Sequence, residues 1–269
     1  MNHITQQKFD GHLIRDPSLY DIFEGMTSIS ALIKSIGSGS SDRRIFAVLY
    51  DSSRADHKSR ELSFLKRNAE SLRFDLCETT SDVISSLTSG DTHGGIIAVT
   101  TKRSFSDDFV NYLTSRSFFA LIEGIEDPYN FGYSIRSLYA AGVDGIVLPP
   151  RNWMEFSGTV ARSSAGTSEL SNIFVSDPET AVKTFKEHGF KVVCASIRDS
   201  VSIYDYDFNC PVLLVVGGEK RGISRKILDL SDANVRIDYG REFMGSLPSA
   251  SAVSVIAFEI ARQKSLFKQ

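Results

Sequence analysis

The stretch Pro211-Val-Leu-Leu-Val-Val-Gly-Gly-Glu-Lys-Arg-Gly-Ile-Ser224 decides how this chain folds. Its six apolar residues, ending at Val216, are typical of a strand buried on both faces of a parallel sheet. Gly217 and Gly218 follow where that strand ends, and glycine lets a turn bring its backbone close to a ligand. The stretch therefore predicts an α/β domain with a ligand site beyond the carboxyl ends of its strands.

Other apolar runs in the C-terminal part alternate with helical patterns, which supports the same fold class. Strands are predicted at Phe118–Ile122, Gly145–Leu148, Lys191–Ala195, Pro211–Val216 and Asn234–Ile237. Asp177 and Pro178 mark the start of a helix and Gly189 its end. The final helix is predicted at Leu247–Lys264. Such alternation predicts a mostly parallel sheet with helices on both faces.

The first hundred residues show the same alternation on a smaller scale. A helical pattern is predicted through Ile22, Met26, Ile29, Leu32, Ile33 and Ile36. Strands are predicted at Ile45–Tyr50 and Gly95–Thr100, and helices around Leu62–Leu72 and Val83–Leu87. The polar segment Thr101–Asp108 is the predicted linker. We therefore predict two domains, residues 1–105 with an extension at 1–20, and residues 115–269.

Composition limits the classes of protein to which the chain can belong. Its apolar runs are far shorter than the roughly 18 residues that a membrane helix requires. Residues 1–10 lack the basic and apolar segments of a secretory signal, so we expect a cytoplasmic protein without membrane contact. Cys77, Cys194 and Cys210 are far apart and form no C-x-x-C pair, so we expect buried thiols and no metal site.

The net charge of −3 argues against a general electrostatic attraction to nucleic acid. Any contact with RNA must therefore depend on local basic groups. The candidates are the pairs Arg43–Arg44, Lys58 with Arg60, Lys66–Arg67 and Lys102–Arg103. Taken alone, such pairs are more typical of solvated helix faces and loops.

Two polar loops, besides the glycine loop, could carry chemistry. Asp127 and the proline after it begin a turn into a helix, in which Asn130 is the expected N-cap and Arg136 lies about two turns further on. The loop Tyr239–Ser246 leads into the last helix, with Ser246 as the expected N-cap. Each loop taken alone is explained by helix initiation.

The glycine loop Gly217–Ser224 lacks two common nucleotide-binding patterns. It has no lysine followed by serine or threonine after its last glycine, and it has no G-x-G-x-x-G fingerprint. A dinucleotide-dependent oxidoreductase is therefore disfavoured. Glu219 is the acidic side chain that the loop holds beside its glycines.

In their order and spacing, the three loops resemble the motifs of the SpoU/TrmH (SPOUT) family of knotted RNA ribose methyltransferases. Asp127-Pro-Tyr-Asn-Phe-Gly…Arg136 resembles the first motif, Gly217–Ser224 the second, and Ser246-Leu…Ser-Ala the third. Thr159–Gly166 also resembles a segment of the family. The resemblance covers roughly residues 115–265. A weaker one relates residues 23–97 to the family's substrate-binding domain, whose fold is related to certain ribosomal proteins.

The resemblance implies a parallel sheet with a deep trefoil knot, a homodimer, and S-adenosylmethionine as cofactor. It places that cofactor around Gly217, Gly218, Ile237, Ser246 and Leu247. It further implies methyl transfer to a ribose 2′-hydroxyl of RNA. We expect ribosomal RNA because of the N-terminal domain, with transfer RNA as the alternative. The residues expected to bind RNA are Arg43, Arg44, Lys66, Arg67 and Arg162.

The resemblance also implies catalytic roles for Arg136, Asn130 and Glu219. A ribose hydroxyl is a poor nucleophile, so the developing negative charge on its oxygen needs stabilisation. A guanidinium group stays protonated and has no acceptor, which argues against Arg136 as a base. We interpret Arg136 as the group that grips a phosphate and stabilises the alkoxide, with Asn130 and Glu219 ordering it.

The third motif departs from the family pattern at two positions. Pro248 stands where the family usually has asparagine, and Ala250 where it often has a second serine. Two side-chain hydrogen-bond partners are therefore missing. This departure leaves a non-catalytic RNA-binding relative as an alternative.

Overall fold

The computed structural model of the chain describes residues 19–88, 93–151, 157–242 and 244–265. These residues form two compact units. One comprises the described residues within Met1–Ser104 and Trp153–Leu170, and the other those within Phe105–Asn152 and Ser171–Gln269. Most of the predicted extension at residues 1–20 lies outside the described residues.

The described elements up to residue 101 alternate between strands and helices. They are β1 (Tyr20–Glu24), α1 (Gly25–Gly37), β2 (Ile45–Asp51), α2 (Ser59–Leu72), β3 (Asp75–Thr79), α3 (Ser81–Leu87) and β4 (Ile96–Thr101). Short 3-10 turns at Ser52–Arg54 and Asp56–Lys58 lie between β2 and α2.

The later elements continue this alternation. They are β5 (Phe118–Ile122), α4 (Pro128–Ala140), β6 (Gly145–Leu148), α5 (Ser157–Ser163), α6 (Thr167–Leu170), β7 (Ile173–Val175), α7 (Pro178–Glu187), β8 (Lys191–Ala195), β9 (Val201–Ser202), β10 (Val212–Val216), α8 (Arg225–Leu230), β11 (Ala233–Arg236) and α9 (Ser249–Gln263). A 3-10 turn at Val110–Tyr112 precedes β5.

The first unit contains a four-stranded mixed sheet in the order β1-β4-β2-β3. β4 runs antiparallel to both of its neighbours, and β2 runs parallel to β3. Successive residues of β2 face opposite sides, so Val48 packs among residues of α1 and α2, while Leu49 packs beside Ile84 of α3. The sheet is therefore covered by helices on both faces.

The second unit contains a seven-stranded sheet in the order β7-β6-β5-β10-β8-β11-β9. Every neighbouring pair in it is parallel. All residues of β5, β6 and β10 are buried, as expected for strands covered on both faces. Phe109 and Phe185 stack with ring centroids 4.8 Å apart in the core that α7 and α8 cover. The prediction of an α/β protein with a parallel sheet is confirmed.

Strand bounds in the second unit agree closely with the sequence predictions. Three strands match residue for residue, β10 begins one residue later than predicted, and β11 is shifted by one residue. The last helix begins at Ser249, with Pro248 as its N-cap residue, so the prediction that Ser246 caps it is wrong. The short strands β7 and β9 were not predicted, because two or three residues carry too little pattern.

Two elements of the first unit differ from the sequence predictions. Ile22, assigned to a helical pattern, lies in β1 and pairs with Val99 of β4. Gly25 follows with a φ of +77°, which ends the strand and lets α1 begin. The spacing of Ile22 from Met26 matched a helical period only by coincidence. β3 was also missed.

Helices α5 and α6 belong to the first unit, whereas the predicted boundaries placed them in the domain at 115–269. A Cβ atom at Gly158 of α5 would overlap the carbonyl oxygen of Ile22, and one at Gly166 would overlap Ala31 of α1. Glycine therefore permits close packing of this segment on β1 and α1. A contiguous assignment from sequence cannot detect such an excursion of the chain.

Candidate active site

The loops after β5 and β10 meet at one edge of the seven-stranded sheet. Ile122 lies opposite Val216 in the parallel ladder, so the two strands end side by side. Glu123 N donates to Val216 O at 2.9 Å, and the Glu123 carboxylate accepts from Ser224 N at 2.9 Å. One acidic side chain thus ties the two loops together at the edge where parallel sheets bind ligands.

Glycines at this edge allow the two loops to touch through their backbones. A Cβ atom at Gly218 would overlap the carbonyl oxygen of Gly124. A Cβ atom at Gly217 would overlap the backbone of Gly222, whose N–H donates to Gly218 O at 2.9 Å. The sequence suggested that these glycines admit a ligand, and the structure adds that the packing of the loops themselves requires them.

A cleft of about 520 Å³ opens beside these loops, a volume typical of small-molecule sites. Its lining residues come from the segments after β5, β6 and β10: Glu123, Gly124, Glu126, Asp127, Arg151, Glu219, Lys220, Arg221, Gly222 and Ser224. Sequence reasoning gave no role to Arg151. It comes soon after β6, the neighbour of β5, so the rule that ligands bind at strand carboxyl ends could have identified it.

Asn130 and Glu219 meet at this edge. The N-cap of α4 is Asp127, whose side chain accepts from Asn130 N at 2.8 Å, so the prediction of Asn130 as the cap is wrong. The Asn130 side chain instead donates through Nδ2 to Glu219 Oε1 at 2.7 Å. This bond joins the start of α4 to the glycine loop, and two of the three predicted catalytic residues are in contact.

Arg136 does not join that pair within the chain. It lies six residues after Asn130, which corresponds to about 240° around the helix and about 9 Å along it. Its side chain is exposed, and no hydrogen bond or ion pair to it occurs among the described residues. The predicted ordering of Arg136 by Asn130 and Glu219 is therefore absent in the single chain, and the guanidinium faces solvent.

The remaining residues predicted to bind the cofactor lie after β11. β11 is separated from β10 by β8 alone and runs parallel to it, so Ile237 emerges at the same edge as Gly217. Ile237 and Leu247 are half-buried, and Ser246 is exposed. Leu247 N donates to the Tyr239 hydroxyl at 3.1 Å, which folds this segment back on itself.

Arg43 is buried, and the prediction that it contacts an RNA phosphate is wrong. Its residue is 3% exposed, and its guanidinium pairs with Asp21 and with Glu169, the latter at 2.9 Å. It also donates to Thr101 O at 2.7 Å. A buried charge requires such partners, and they leave this guanidinium no access to a surface ligand.

The other basic residues predicted to bind RNA are more accessible. Arg44, Lys66 and Arg67 are exposed, and the Arg44 guanidinium lies 5.7 Å from the centroid of the Phe46 ring. Arg162 on α5 is partly exposed and pairs with Glu24 at 2.7 Å. Among the described residues, no group of His, Cys, Asp or Glu could hold a metal ion, and no helix is long and apolar enough to cross a membrane.

The sequence of this chain is similar to those of known RNA methyltransferases. The model of the SpoU rRNA methylase family matches residues 117–258. A putative TrmH family tRNA/rRNA methyltransferase of Staphylococcus haemolyticus is 28% identical over 179 residues, which cover 64% of this chain and 71% of that protein. A 23S rRNA (guanosine-2′-O-)-methyltransferase of Shewanella oneidensis is 25% identical over 249 residues, or 91% of this chain and 98% of that protein.

Solved structures share the fold over nearly the whole chain. An AdoMet-bound rRNA methyltransferase from Sinorhizobium meliloti superposes with a TM-score of 0.78 at 21% identity, covering 99% of this chain and 96% of that one. The SpoU methyltransferase AviRb from Streptomyces viridochromogenes, in complex with AdoMet, gives 0.75 at 22% identity and covers 100% of both chains.

Proposed function

This chain belongs to the SpoU rRNA methylase family, and we propose that its cleft transfers a methyl group from S-adenosylmethionine to a ribose 2′-hydroxyl of ribosomal RNA. Function as an RNA methyltransferase follows from family membership. The contact between Asn130 and Glu219 carries the assignment of the cleft, because it joins the first and second motifs at the ligand-binding edge of the sheet. The relative from Shewanella oneidensis, named for 23S rRNA, supports ribosomal RNA.

S-adenosylmethionine, when bound, supplies an electrophilic methyl group on its sulfonium centre. We propose that Gly217, Gly218, Ile237, Ser246 and Leu247 hold it. The residues fit this role because β10 and β11 end at the same edge of the sheet. Half-buried Ile237 and Leu247 offer apolar surface there, and exposed Ser246 offers a hydroxyl.

In this proposal, three side chains have different roles toward the ribose. Arg136 stays protonated, so its guanidinium binds an adjacent phosphate and stabilises the negative charge that develops on the 2′-oxygen. Glu219 uses Oε1 to accept from Asn130. Its other oxygen, Oε2, has no donor among the described residues and can accept the proton that the 2′-hydroxyl loses. Asn130 is a positioning residue that fixes the orientation of that carboxylate.

A symmetric homodimer is part of this proposal. α4 and α9 pack on each other, with the hydroxyl oxygens of Ser137 and Ser254 2.6 Å apart. Tyr133 on α4 and Phe258 on α9 are 47% and 42% exposed, so this helix pair presents apolar surface to solvent. A two-fold interface over that surface would bring Arg136 to the cleft of the partner, which explains why it has no contact with the cleft of its own chain.

We also propose the deep trefoil knot and an RNA-binding role for residues 1–105. The strand order supports the knot, since β10 lies between the earlier strands β5 and β8, and α9 returns to pack on α4. Exposed Arg44, Lys66 and Arg67 support the RNA-binding role. Cytoplasmic localisation remains part of this proposal.

Mapping of ribose methylation in total RNA from cells with and without the chain tests the function directly. We expect one or a few 2′-O-methylated positions of ribosomal RNA to disappear without it. Loss of methylation confined to transfer RNA would support the alternative substrate. The relative from Staphylococcus haemolyticus is named for both transfer RNA and ribosomal RNA. Unchanged methylation, with cofactor still bound by the purified protein, would identify a non-catalytic relative.

The role of Arg136 is tested with purified protein. We expect Arg136→Ala to lower methyl transfer by about 100-fold or more while cofactor affinity stays unchanged, because charge stabilisation acts on the transition state. Arg136→Lys keeps the charge and should retain part of the rate. Mixing Arg136→Ala subunits with Gly218→Val subunits should restore activity if the site is shared, and no recovery would argue for sites built within one chain.

A further inference from the structure

The first unit contains a cavity of about 400 Å³ that the proposed mechanism does not use. It lies at the start of α1 and is lined by Gly25, Lys58, His93 and Arg162, among other residues. All of these residues belong to the first unit. Three of the four carry side chains that can donate hydrogen bonds to an anion.

The positive end of α1 faces this cavity without a side-chain cap. The first N–H groups of a helix have no acceptor within the helix. The N-cap residue Glu24 makes no capping hydrogen bond, and the first turn of this 13-residue helix contains no acidic residue. The Glu24 carboxylate bonds Arg162 at 2.7 Å instead. The backbone donors and the dipole of α1 are therefore available to an anion.

His93 supplies an independent sign of a ligand. The residue is only 4% exposed, and it lines the cavity. Its Nδ1 accepts from Gly95 N at 3.0 Å. A backbone N–H can only donate, so in the neutral ring the proton lies on Nε2. No described residue accepts that proton, so the Nε2 donor of this mostly buried ring is available to a ligand in the cavity.

The charges around the cavity also favour an anion. Among the described residues that line it, Lys58 and Arg162 are cations and Glu24 is a carboxylate, which gives an excess of one positive charge before His93 is counted. The Lys58 ammonium pairs with Glu61 at 3.2 Å. It also lies 3.9 Å from where a Cβ atom of Gly94 would stand, which places it against the loop that carries His93.

We propose that this cavity binds a phosphate group, and that in the working enzyme the group is a phosphodiester of the RNA substrate. A phosphate can accept at once from the start of α1, from His93 Nε2 and from Lys58. The cavity is larger than a free phosphate ion, which favours a phosphate with its sugars attached. The assignment to RNA rests on the proposed function, whereas phosphate binding itself does not.

Two substitutions in the full-length protein separate this site from the general charge of the surface. Lys58→Gln removes the cation, and His93→Asn keeps an acceptor near the position of Nδ1 for Gly95 N but removes the Nε2 donor. Lys34→Gln is the matched control, because this exposed lysine lies in the last turn of α1, at the opposite end of the helix. Thermal melting and S-adenosylmethionine affinity check that each variant is folded.

RNA affinity is measured with fragmented ribosomal RNA over a range of salt concentrations. We expect Lys58→Gln to weaken binding about 5- to 10-fold at 0.1 M salt and to lower the salt slope by about one. His93→Asn should weaken binding by a similar factor with an unchanged slope, since a neutral donor releases no counterion. Lys34→Gln should alter neither quantity. If His93→Asn fails to fold, the RNA affinity and salt slope of Lys58→Gln, a substitution at the surface, test the proposal.

Inorganic phosphate is the probe for the second source of the same chemistry. Its titration into the wild-type protein, followed by NMR of the histidine rings, should shift the signal that His93→Asn lacks. A phosphate-dependent shift together with weakened RNA binding supports the proposal. The shift without any effect on RNA binding would assign the cavity to free phosphate and overturn the RNA source.

Absence of both effects would overturn the site altogether. Methyl transfer by the wild-type protein in the same preparation distinguishes this failure from failure of the proposed function. A chain that binds RNA through Lys58 and His93 but transfers no methyl group would keep the site and lose the activity. A chain that transfers methyl groups with neither effect would keep the activity and lose the site.

Discussion

Charged side chains have opposite roles in two regions of the molecule. One region is the cleft beside β5 and β10, and the other is the ion cluster of the first unit, formed by Asp21, Arg43 and Glu169. In the ion cluster, Arg43 is buried between Asp21 and Glu169, and its positive charge is paired with their carboxylates. At the edge that forms the cleft, Glu219 is exposed and has one oxygen free of donors from the described residues. The charge of Arg43 therefore serves the fold, whereas the exposed carboxylate of Glu219 can act on a ligand at the end of a strand.

The two regions also differ in what sets their geometry. Side-chain ion pairs connect the parts of the ion cluster, whereas backbone contact between Gly124 and Gly218 connects the loops of the cleft. Substitution in the cluster should therefore change the stability of the first unit. Substitution of a cleft glycine should displace a ligand site while the buried strands below it persist.

The largest expected effect follows replacement of Gly218. A Cβ atom there would overlap the Gly124 carbonyl, so Gly218→Val must push the two loops apart. We expect S-adenosylmethionine affinity, measured by titration calorimetry, to fall by about 100-fold or more, which corresponds to about 2.8 kcal/mol of binding free energy. Gly240→Ala is the control, because a Cβ atom there meets nothing within 4 Å. Normal affinity in Gly218→Val would place the cofactor elsewhere.

Replacement of Arg43 should affect stability next most strongly. Arg43→Met leaves Asp21 and Glu169 buried without their cation, which typically costs about 3–5 kcal/mol. Urea denaturation should show this loss in the unfolding of the first unit. Arg44→Ala, at the exposed neighbour whose guanidinium lies over the Phe46 ring, should change the free energy of unfolding by no more than about 1 kcal/mol. Equal effects of the two substitutions would contradict the assignment of Arg43 to the fold.

A smaller effect on methyl transfer is expected from Asn130→Asp. The change sets two carboxylates against each other where Nδ2 now donates to Glu219 Oε1 at 2.7 Å, and repulsion should reorient Glu219. We expect a loss of about 10-fold, which corresponds to about 1.4 kcal/mol in the activation free energy. When Glu219→Gln is added, the amide at position 219 can donate to the carboxylate at position 130, so the hydrogen bond is restored in the opposite direction. Position 219 no longer carries a carboxylate. The double variant should therefore keep its cofactor affinity without regaining rate, and recovery of the rate would refute Glu219 as the proton acceptor.

The smallest effect concerns the thiols of the two sheets and leaves activity unchanged. Burial raises the pKa of Cys194 in β8 to about 12, and it also raises the pKa of half-buried Cys77 in β3. When the pKa of a thiol is raised, less of it is present as the reactive thiolate at a given pH. At pH 8 an alkylating reagent should modify Cys77 slowly and Cys194 only after unfolding, as mass spectrometry can measure. Modification of Cys194 in the folded protein would show that the interior of the parallel sheet opens.

Sequence reasoning succeeded where a signal was confined to neighbouring residues. The apolar runs at Phe118–Ile122 and Lys191–Ala195 predicted β5 and β8 to the residue. The family that the loops after β5 and β10 resemble was identified correctly, since the model of the SpoU rRNA methylase family matches residues 117–258. It failed where a local pattern had two readings, as at Ile22, whose spacing fitted a helix although it pairs in a strand.

By itself the sequence determined the α/β class, five of the seven strands of the parallel sheet and the family, because apolar runs and glycine loops are local properties. Only the tertiary structure decided that Arg43 is buried against Glu169, 126 residues away. It likewise decided that Asn130 bonds Glu219, 89 residues away, and that α5 packs on β1. These contacts join segments that no local pattern relates. The strength of the pair between Arg43 and Glu169 also depends on its removal from water, which exists only once the chain has folded.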